Sequence, residues 1–543
     1  MKRLLPAFLV VLALSCMSVS GATSYYFFVQ FSNKKNTPYS LSSPSAFLSS
    51  KAVARRTAFG IACDSTDLPV NQTYVSQVAN LGAKVHSRSK WMNGITVLVT
   101  DSFLMSQVRA LPFVSKVQYT GKTDAASLVR QKSKFETQLT DYGTAQAQLN
   151  QINGSYIHNL GFTGKGIVVG VLDAGFNNVN INPGFDSLRM SGRLLGTKDI
   201  AELNGNVYSM DAHGANVLSI MTGKLSGANP YAGTAPHASF WLIRTEYAPT
   251  EYLVETDFWV SGIEFADSVG VDVVNSSLGY TTFDDAKMSF TYADMNGKVS
   301  RASKAAAMAA QKGIIVCNSA GNAGNKTWHY IGSPADAEGI VSVGAVYNTG
   351  VSSEFSSFGP SSDNRIKPEI CGTGTATAYI NTAGSRSSGN GTSYSSPVIA
   401  GMMACFLQYA KANFSNLTIP KILESVFKSG SIYTNPTAQL GYGIPDFQKA
   451  ASNLLTLDLT ENKADNNFMV VYRPEASSLE LNICEPTTQR CSLKIYSVAG
   501  VLVCQNDIDS QNFTVSVKGL SAGAYIVNVS SAKFNESQKI IIR

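Results

Sequence analysis

The alternation of apolar and polar positions divides this chain into three regions. In residues 25–118 short runs of two different periods follow one another. Tyr26-Phe27-Phe28-Val29-Gln30-Phe31 reads as a strand, residues 74–81 as a helix, Gly94-Ile95-Thr96-Val97-Leu98-Val99 as a strand, residues 102–111 as a helix and 114–117 as a last strand. The pattern predicts a small α+β unit. Residues 120–141 are rich in Lys, Gln, Ser and Thr and carry no period, which predicts an exposed linker open to proteolysis.

In residues 142–455 apolar strand runs alternate with helical segments. Strands are expected at 166–172, 239–243, 271–275, 314–317 and 340–343, and helices near 217–221, 258–268 and 303–311. Such alternation predicts an α/β fold, a parallel sheet with helices on both faces, whose functional groups gather at the carboxyl ends of the strands. From residue 456 the pattern changes to short alternating runs at 479–483, 492–496, 513–517 and 524–529, separated by Gly, Asn and Asp, as in a small antiparallel β-sandwich.

Composition adds compartment and excludes one class of partner. Met1-Lys2-Arg3, an apolar stretch over 4–16 and the small residues Ser20-Gly21-Ala22 read as a signal peptide, residues 1–22, cleaved near Ala22. No later run reaches the roughly 18 apolar residues of a membrane span, so the mature protein is expected to be soluble or surface-attached. Ala13-Leu14-Ser15 before Cys16 matches a lipid-acceptor pattern poorly, and Cys16 reads as incidental. Lys plus Arg number 43 against 37 Asp plus Glu, with no basic run or basic-aromatic stripe, which excludes a nucleic-acid groove. Charged residues make up only 15% of the chain, a surface suited to secretion. The eight cysteines lack metal-site spacing; Cys317 and Cys405 read as buried small hydrophobes, and Cys484 and Cys491 as either a hairpin disulfide or two thiols.

Four short motifs carry chemistry. Gly391-Thr392-Ser393-Tyr394-Ser395-Ser396-Pro397 precedes an apolar run and predicts a serine at or next to a helix N-cap, with Pro397 in the first turn, where its missing N–H costs nothing. The first expected strand of the α/β region ends in Asp173-Ala174-Gly175, and His213-Gly214 opens a helical run. Ile314-Ile315-Val316-Cys317 runs into Asn318-Ser319-Ala320-Gly321-Asn322, a strand entering a glycine-rich turn with an amide side chain. Singly, each has an ordinary explanation: a helix-capping serine, a strand-end acid, a structural or solvated histidine, a turn asparagine. Together they supply a nucleophile, its base, a carboxylate to orient the base and a donor for an oxyanion.

The chain order Asp173, His213, Ser393 is that of the subtilisin type. Residues 142–455 resemble a subtilase through Val171-Leu172-Asp173-Ala174-Gly175, His213-Gly214-Ala215-Asn216-Val217, Gly233-Thr234-Ala235-Pro236-His237-Ala238, Asn275-Ser276-Ser277-Leu278-Gly279, Ser319-Ala320-Gly321-Asn322 and Gly391-Thr392-Ser393 with Pro397. The resemblance implies Asp173, His213 and Ser393 as a triad and Asn322 as oxyanion donor. It also implies Ser277, Leu278 and Gly279 as a strand that pairs with substrate, and Ser319, Ala320 and Gly321 as the facing wall of the main pocket. Neither wall holds an acid, so an uncharged residue is expected before the cut. Ala174, Ala215 and Ser395 depart from the residues usual in that family; none removes a reacting group.

Residues 23–118 resemble an inhibitory prosegment, with activation cleavage expected in the linker 119–141. Residues 456–543 resemble a type IX secretion sorting domain, through Ser492-Leu493-Lys494-Ile495-Tyr496-Ser497-Val498-Ala499-Gly500 and Gly519-Leu520-Ser521-Ala522-Gly523-Ala524-Tyr525-Ile526-Val527. A carbohydrate- or protein-binding sandwich is the alternative for that region. The implied protein is a secreted or surface serine endopeptidase made as a zymogen, acting on proteins or peptides, exported by the type IX machinery and requiring no cofactor. The same family allows a stabilising calcium ion, for which no D-x-D-x-D-G loop is present and no residue is assigned. An inactive adhesin on the same scaffold would lack a reacting group; a peptide ligase or cyclase would share the acyl-enzyme. Nothing in the sequence bears on oligomeric state.

Overall fold

The computed structural model describes residues 23–123, 142–227, 229–414, 417–462, 467–483, 491–497 and 500–542. The expected signal peptide, residues 124–141 of the linker, and Cys484 lie outside them.

The N-terminal domain is built from β1 (Ser24–Phe31), α1 (Ser50–Ala58), α2 (Gln72–Asn80), β2 (Lys84–Ser89), β3 (Gly94–Val99), α3 (Leu104–Arg109) and β4 (Val114–Thr123). Its antiparallel sheet has the order β2-β3-β1-β4, and Val29, Val75, Val78, Val97, Met105 and Val108 fill the core under α2 and α3. Strand β4 pairs with β1 as far as Thr123, so the domain's sheet continues five residues past its expected end at residue 118.

The central domain holds β5 (Val168–Asp173), β6 (Leu194–Asp199), α4 (His213–Thr222), β7 (Ser239–Arg244), α5 (Val254–Val269), β8 (Val273–Ser276), α6 (Arg301–Gln311), β9 (Ile315–Ser319), β10 (Val341–Val346), β11 (Ile370–Thr373), α7 (Thr392–Asn413) and α8 (Phe447–Asn462). The seven strands are all parallel, in the order β11-β10-β9-β8-β5-β7-β6. Successive side chains of one strand go to opposite layers: Val169 and Val171 pack with α4 and α7, whereas Val168 and Leu172 pack with α5 and α6. Helix α8 continues to Asn462, past the domain boundary expected at residue 455. No helix among the described residues is long and apolar enough to cross a membrane.

The C-terminal region has two antiparallel sheets around one core. One takes β12 (Phe468–Arg473), β13 (Ser478–Ile483) and β16 (Asn512–Ser516); the other takes β14 (Cys491–Ser497), β15 (Leu502–Ile508), β17 (Gly523–Ser530) and β18 (Asn535–Ile542). This is the sandwich expected from the alternating runs.

The N-terminal domain is fastened to α5 by charge as well as by apolar contact. Tyr26 and Trp91 join the Phe258 and Trp259 cluster, and the Glu264 carboxylate accepts from Ser89 Oγ at 2.6 Å, Lys90 N at 2.7 Å and Trp91 N at 3.0 Å. One turn on, buried Asp267 receives Arg55 at 2.5 Å, Arg56 at 3.0 Å and Lys90 at 2.9 Å. Arg55 also donates to the carbonyls of Val271 and Lys312, just beyond the C-terminal ends of α5 and α6, where such acceptors otherwise lack partners. Burial alone would raise the Asp267 pKa; the charges of Lys90, Arg55 and Arg56 instead hold it well below the ordinary carboxylate value. A depressed carboxylate stabilises fully above its unfolded value of 3.8 and loses that contribution only as pH falls further, so this contact persists in mild acid.

Asp267→Asn leaves these buried cations without their shared anion, a loss of about 3–5 kcal/mol for a broken buried pair. The expected outcome is a separate, earlier transition for the N-terminal domain in calorimetry of the full chain; unchanged co-operative melting would contradict it.

Candidate active site

Asp173 is the last residue of β5 and is fully buried. Its Oδ1 accepts the Ala174 N–H at 2.8 Å and lies 2.8 Å from His213 Nδ1. His213 opens α4, with its own N–H bound to Asp211 Oδ1 at 2.6 Å. The helix start can press onto the strand end because residue 214 is glycine: a Cβ there would lie 2.8 Å from the Asp173 Cβ and 2.4 Å from the Gly175 carbonyl. Burial disfavours the charged imidazole, but the Asp173 charge and hydrogen bond, with Asp211 adding, outweigh it and raise the His213 pKa above its ordinary value. Asp173 Oδ2 is buried without a hydrogen-bond partner, next to Ala174, a residue that has no hydroxyl to offer it.

Ser393 is the second residue of α7, and the cap is Gly391, at φ 154°, so the serine sits inside the first turn rather than capping it. Its N–H therefore has no intrahelical acceptor. Its hydroxyl donates to the Ser277 carbonyl at 3.3 Å and, among the described residues, makes no hydrogen bond to His213. Pro397 also stands elsewhere than expected. It is the sixth residue of α7, beyond the first turn, so its missing N–H does leave one carbonyl free, that of Ser393 four residues earlier. Ser277 Oγ fills the vacancy, donating to Ser393 O at 2.9 Å, and is itself held by Asn275 Nδ2 at 3.1 Å. The helix carrying the serine is thereby tied to the end of β8.

Asn322 is exposed, at the turn after β9. Its Oδ1 accepts from Thr392 N at 2.9 Å and Thr392 Oγ1 at 3.0 Å, which turns its Nδ2 toward the open side, beside Gly391 and Ser393. Ser277-Leu278-Gly279 and Ser319-Ala320-Gly321 continue from β8 and β9, neighbours in register Ser276 to Asn318, so they stand as two facing walls. Asn318 Nδ2 bonds the Leu278 carbonyl at 3.1 Å across them. Ser277, Ser319 and Ala320 are buried and Gly279 is open on its Cα side. Ala320 belongs to a small apolar cluster with Ile331 and Ala335.

All ten residues singled out in the sequence thus stand at the carboxyl ends of β5, β8 and β9 and the starts of α4 and α7. Three supporting residues did not stand out there: Asp211 behind His213, Thr392 holding Asn322, and Glu246, which accepts the hydroxyl of Tyr280 next to Gly279. Thr392 lies within the quoted motif, but its role depends on a partner 70 positions away. Among the described residues no group of three His, Cys, Asp or Glu side chains is arranged to hold a metal ion.

Comparison with known proteins agrees with this architecture. Residues 26–154 match a profile described as a peptidase S8 propeptide domain of Bacteroidota, residues 164–443 the subtilase family, and residues 473–543 a secretion system C-terminal sorting domain. Subtilisin NAT of Bacillus subtilis subsp. natto is 24% identical over 375 residues, 69% of this chain and 84% of that protein. A subtilisin of Bacillus pumilus is 25% identical over 304 residues, 56% of this chain and 97% of that protein. Among solved structures, the MycP3 protease from the type VII (ESX-3) secretion system covers 57% of this chain and 89% of its own, at 20% identity and a TM-score of 0.44. The three matched regions make this a serine protease carrying a propeptide and a secretion-sorting tail. Because the middle one spans more than half of the chain, this protein belongs to the subtilase family.

Proposed function

We propose that this protein is a secreted serine endopeptidase in which Ser393 attacks the peptide carbonyl, His213 takes and returns the proton, and Asp173 fixes the imidazole. The observation that carries this reading is the 2.8 Å contact between His213 Nδ1 and Asp173 Oδ1: a carboxylate accepts from a protonated Nδ1, and with the proton there Nε2 is free to act as the base. The serine hydroxyl has to turn from the Ser277 carbonyl to that nitrogen; such contacts are loose before substrate binds. The Ser393 N–H and Asn322 Nδ2 supply two donors for the tetrahedral oxyanion. His213 then protonates the leaving amine, and water repeats the attack on the acyl-enzyme. Substrate adds as a strand against Ser277-Leu278-Gly279, and the uncharged wall Ser319-Ala320-Gly321 with Ile331 and Ala335 behind it favours an uncharged side chain before the cut.

The N-terminal domain is the inhibitor in this reading. Near the end of β4, Gly121 packs on Tyr252 and Val254, at the N-terminus of α5, with no room for a side chain. The activating cut then falls within residues 124–141, and the sorting tail delivers the protein outside the cell or to its surface.

A serine-directed fluorophosphonate is expected to label the processed wild type and not Ser393→Ala; a wild type that stays unlabelled after prosegment removal would overturn the reading. Asn322→Ala is expected to lower kcat by about 10²–10³, the loss that removing such a donor causes in a subtilisin, with little change in KM. Because the neutral imidazole is the base, kcat/KM is expected to fall with decreasing pH, with a midpoint above the ordinary histidine value of 6.5. A pH-rate profile on a peptide substrate reads that midpoint directly.

A further inference from the structure

Behind the substrate-binding wall lie three acids that the peptidase mechanism does not use. Glu246 and Glu255 are buried and Glu251 is half-buried, and among the described residues none of the three is in an ion pair. Glu246 Oε1 accepts the Tyr280 hydroxyl at 2.5 Å and the Thr245 hydroxyl at 3.3 Å. Glu255 Oε1 accepts the Tyr247 N–H at 3.1 Å, the amide directly after Glu246, which sets the two acids in one buried cluster, while Glu255 Oε2 is buried without a hydrogen-bond donor. Two buried carboxylates cannot face each other without a proton or a cation between them. Among the described residues no Lys or Arg pairs with either acid and no group of three acids is arranged to hold a metal ion, so a proton is the fitting partner for the bare Glu255 Oε2.

The pair is wired to the cleft on two sides. Tyr280 directly follows Gly279, and its backbone is locked to Ser333 by hydrogen bonds in both directions, at 2.7 and 3.1 Å. On the other side the Thr245 N–H bonds the Asp173 carbonyl at 3.1 Å. We propose that Glu246 and Glu255 share one proton, and that this acid pair is a positioning device which holds the wall Ser277-Leu278-Gly279 through Tyr280 and fails at alkaline pH. The proton sits on Glu255 Oε2 and is donated to Glu246; when it leaves to solvent base, two like charges remain in a site without counter-charge.

The groups facing the pair are Tyr280 from the wall, Asp173 from β5 and Glu251 from the loop before α5; Asp284 faces Glu251 in turn. The acids Asp173 and Glu251 work with burial to keep the proton on, whereas the hydrogen bonds that Tyr280 and Thr245 donate to Glu246, and Tyr247 to Glu255, act against them and are outweighed. Burial is the main cause that raises Glu246 and Glu255 well above the ordinary carboxyl value and Glu251 to about 7, the neighbouring acids adding to it. A raised carboxyl pKa means that the folded state keeps a proton the unfolded chain has released. Stability is therefore lost as pH rises from the unfolded value of 4.5 through the folded ionisation.

The inference rests on the peptidase reading, and its test separates the two. In the processed full chain KM is expected to rise with pH on the alkaline side of the His213 midpoint, where kcat has reached its plateau, by about tenfold per pK unit of coupling. Glu255→Gln, a permanent donor to Glu246, is expected to flatten that rise; Glu255→Ala, with no donor, is expected to show the alkaline KM at every pH. The thermal midpoint of the inactive Ser393→Ala chain is read over the same range, where it should fall with rising pH and be flattened by Glu255→Gln. Identical profiles for the two Glu255 variants, or a Ser393→Ala midpoint indifferent to pH, would overturn the pair. A wild type without any turnover would fell the peptidase reading and leave the midpoint measurement to decide the pair. If neither Glu255 variant folds, Tyr280→Phe decides: a KM raised several-fold with kcat kept supports the clamp, and an unchanged KM overturns it.

Discussion

Everything at the catalytic end of this molecule depends on seven parallel strands finishing at one level. A parallel strand buried on both faces reaches solvent only at its ends, functional groups gather at the carboxyl ends, and here Asp173, Ser277 and Ser319 all stand there. The helices are then fitted to those ends by particular contacts. Gly214 lets α4 press its first residue onto Asp173, and the Ser277 hydroxyl draws α7 onto β8. The rigid part of the site is therefore the sheet; the serine hydroxyl, which points at a carbonyl instead of the imidazole, is the part left free to move.

Charge is distributed along the chain in a way that overall composition hides. Residues 23–123 carry eleven Lys and Arg against three Asp and no Glu, whereas the whole chain has a net charge of only +6. The catalytic domain answers with carboxylates on and beside α5: Glu264 takes donors from the β2–β3 turn, Asp267 gathers Arg55, Arg56 and Lys90, and Asp272 pairs with Lys51. Electrostatic attraction thus acts at the rear of α5, while the β4 end lies by Tyr252 and Val254. The ion pairs and the β4 contact hold the N-terminal domain at opposite ends of one helix.

Much of the fold was legible because buried strands such as residues 168–173 and the alternating runs of the sandwich announce themselves by apolar content. The candidate residues Asp173, His213 and Ser393 stood out for a different reason: chain order and motif chemistry can be read without any knowledge of packing. What escaped did so for physical causes. Helix α1 was missed because its inward face is Ala52, Arg55 and Arg56, and arginines buried by ion pairs look like surface in a sequence. The edge strand β6 ends in Thr197-Lys198-Asp199 and lacks the apolar run of its neighbours. Pro397 was expected in the first turn, since the cost of a proline deeper in a helix is ordinarily prohibitive. That expectation failed because the carbonyl it orphans has a donor 116 residues away. Thr392 and Glu246 act through partners that only folding brings near.

That arrangement at Pro397 binds two distant positions into one. Any other residue at 397 would restore an N–H that competes with Ser277 for the Ser393 carbonyl, and a residue without a hydroxyl at 277 would leave that carbonyl bare. Neither position can drift alone. Across the history of such a chain the two should change together or not at all, although the positions are 120 apart and neither side chain takes part in bond breaking.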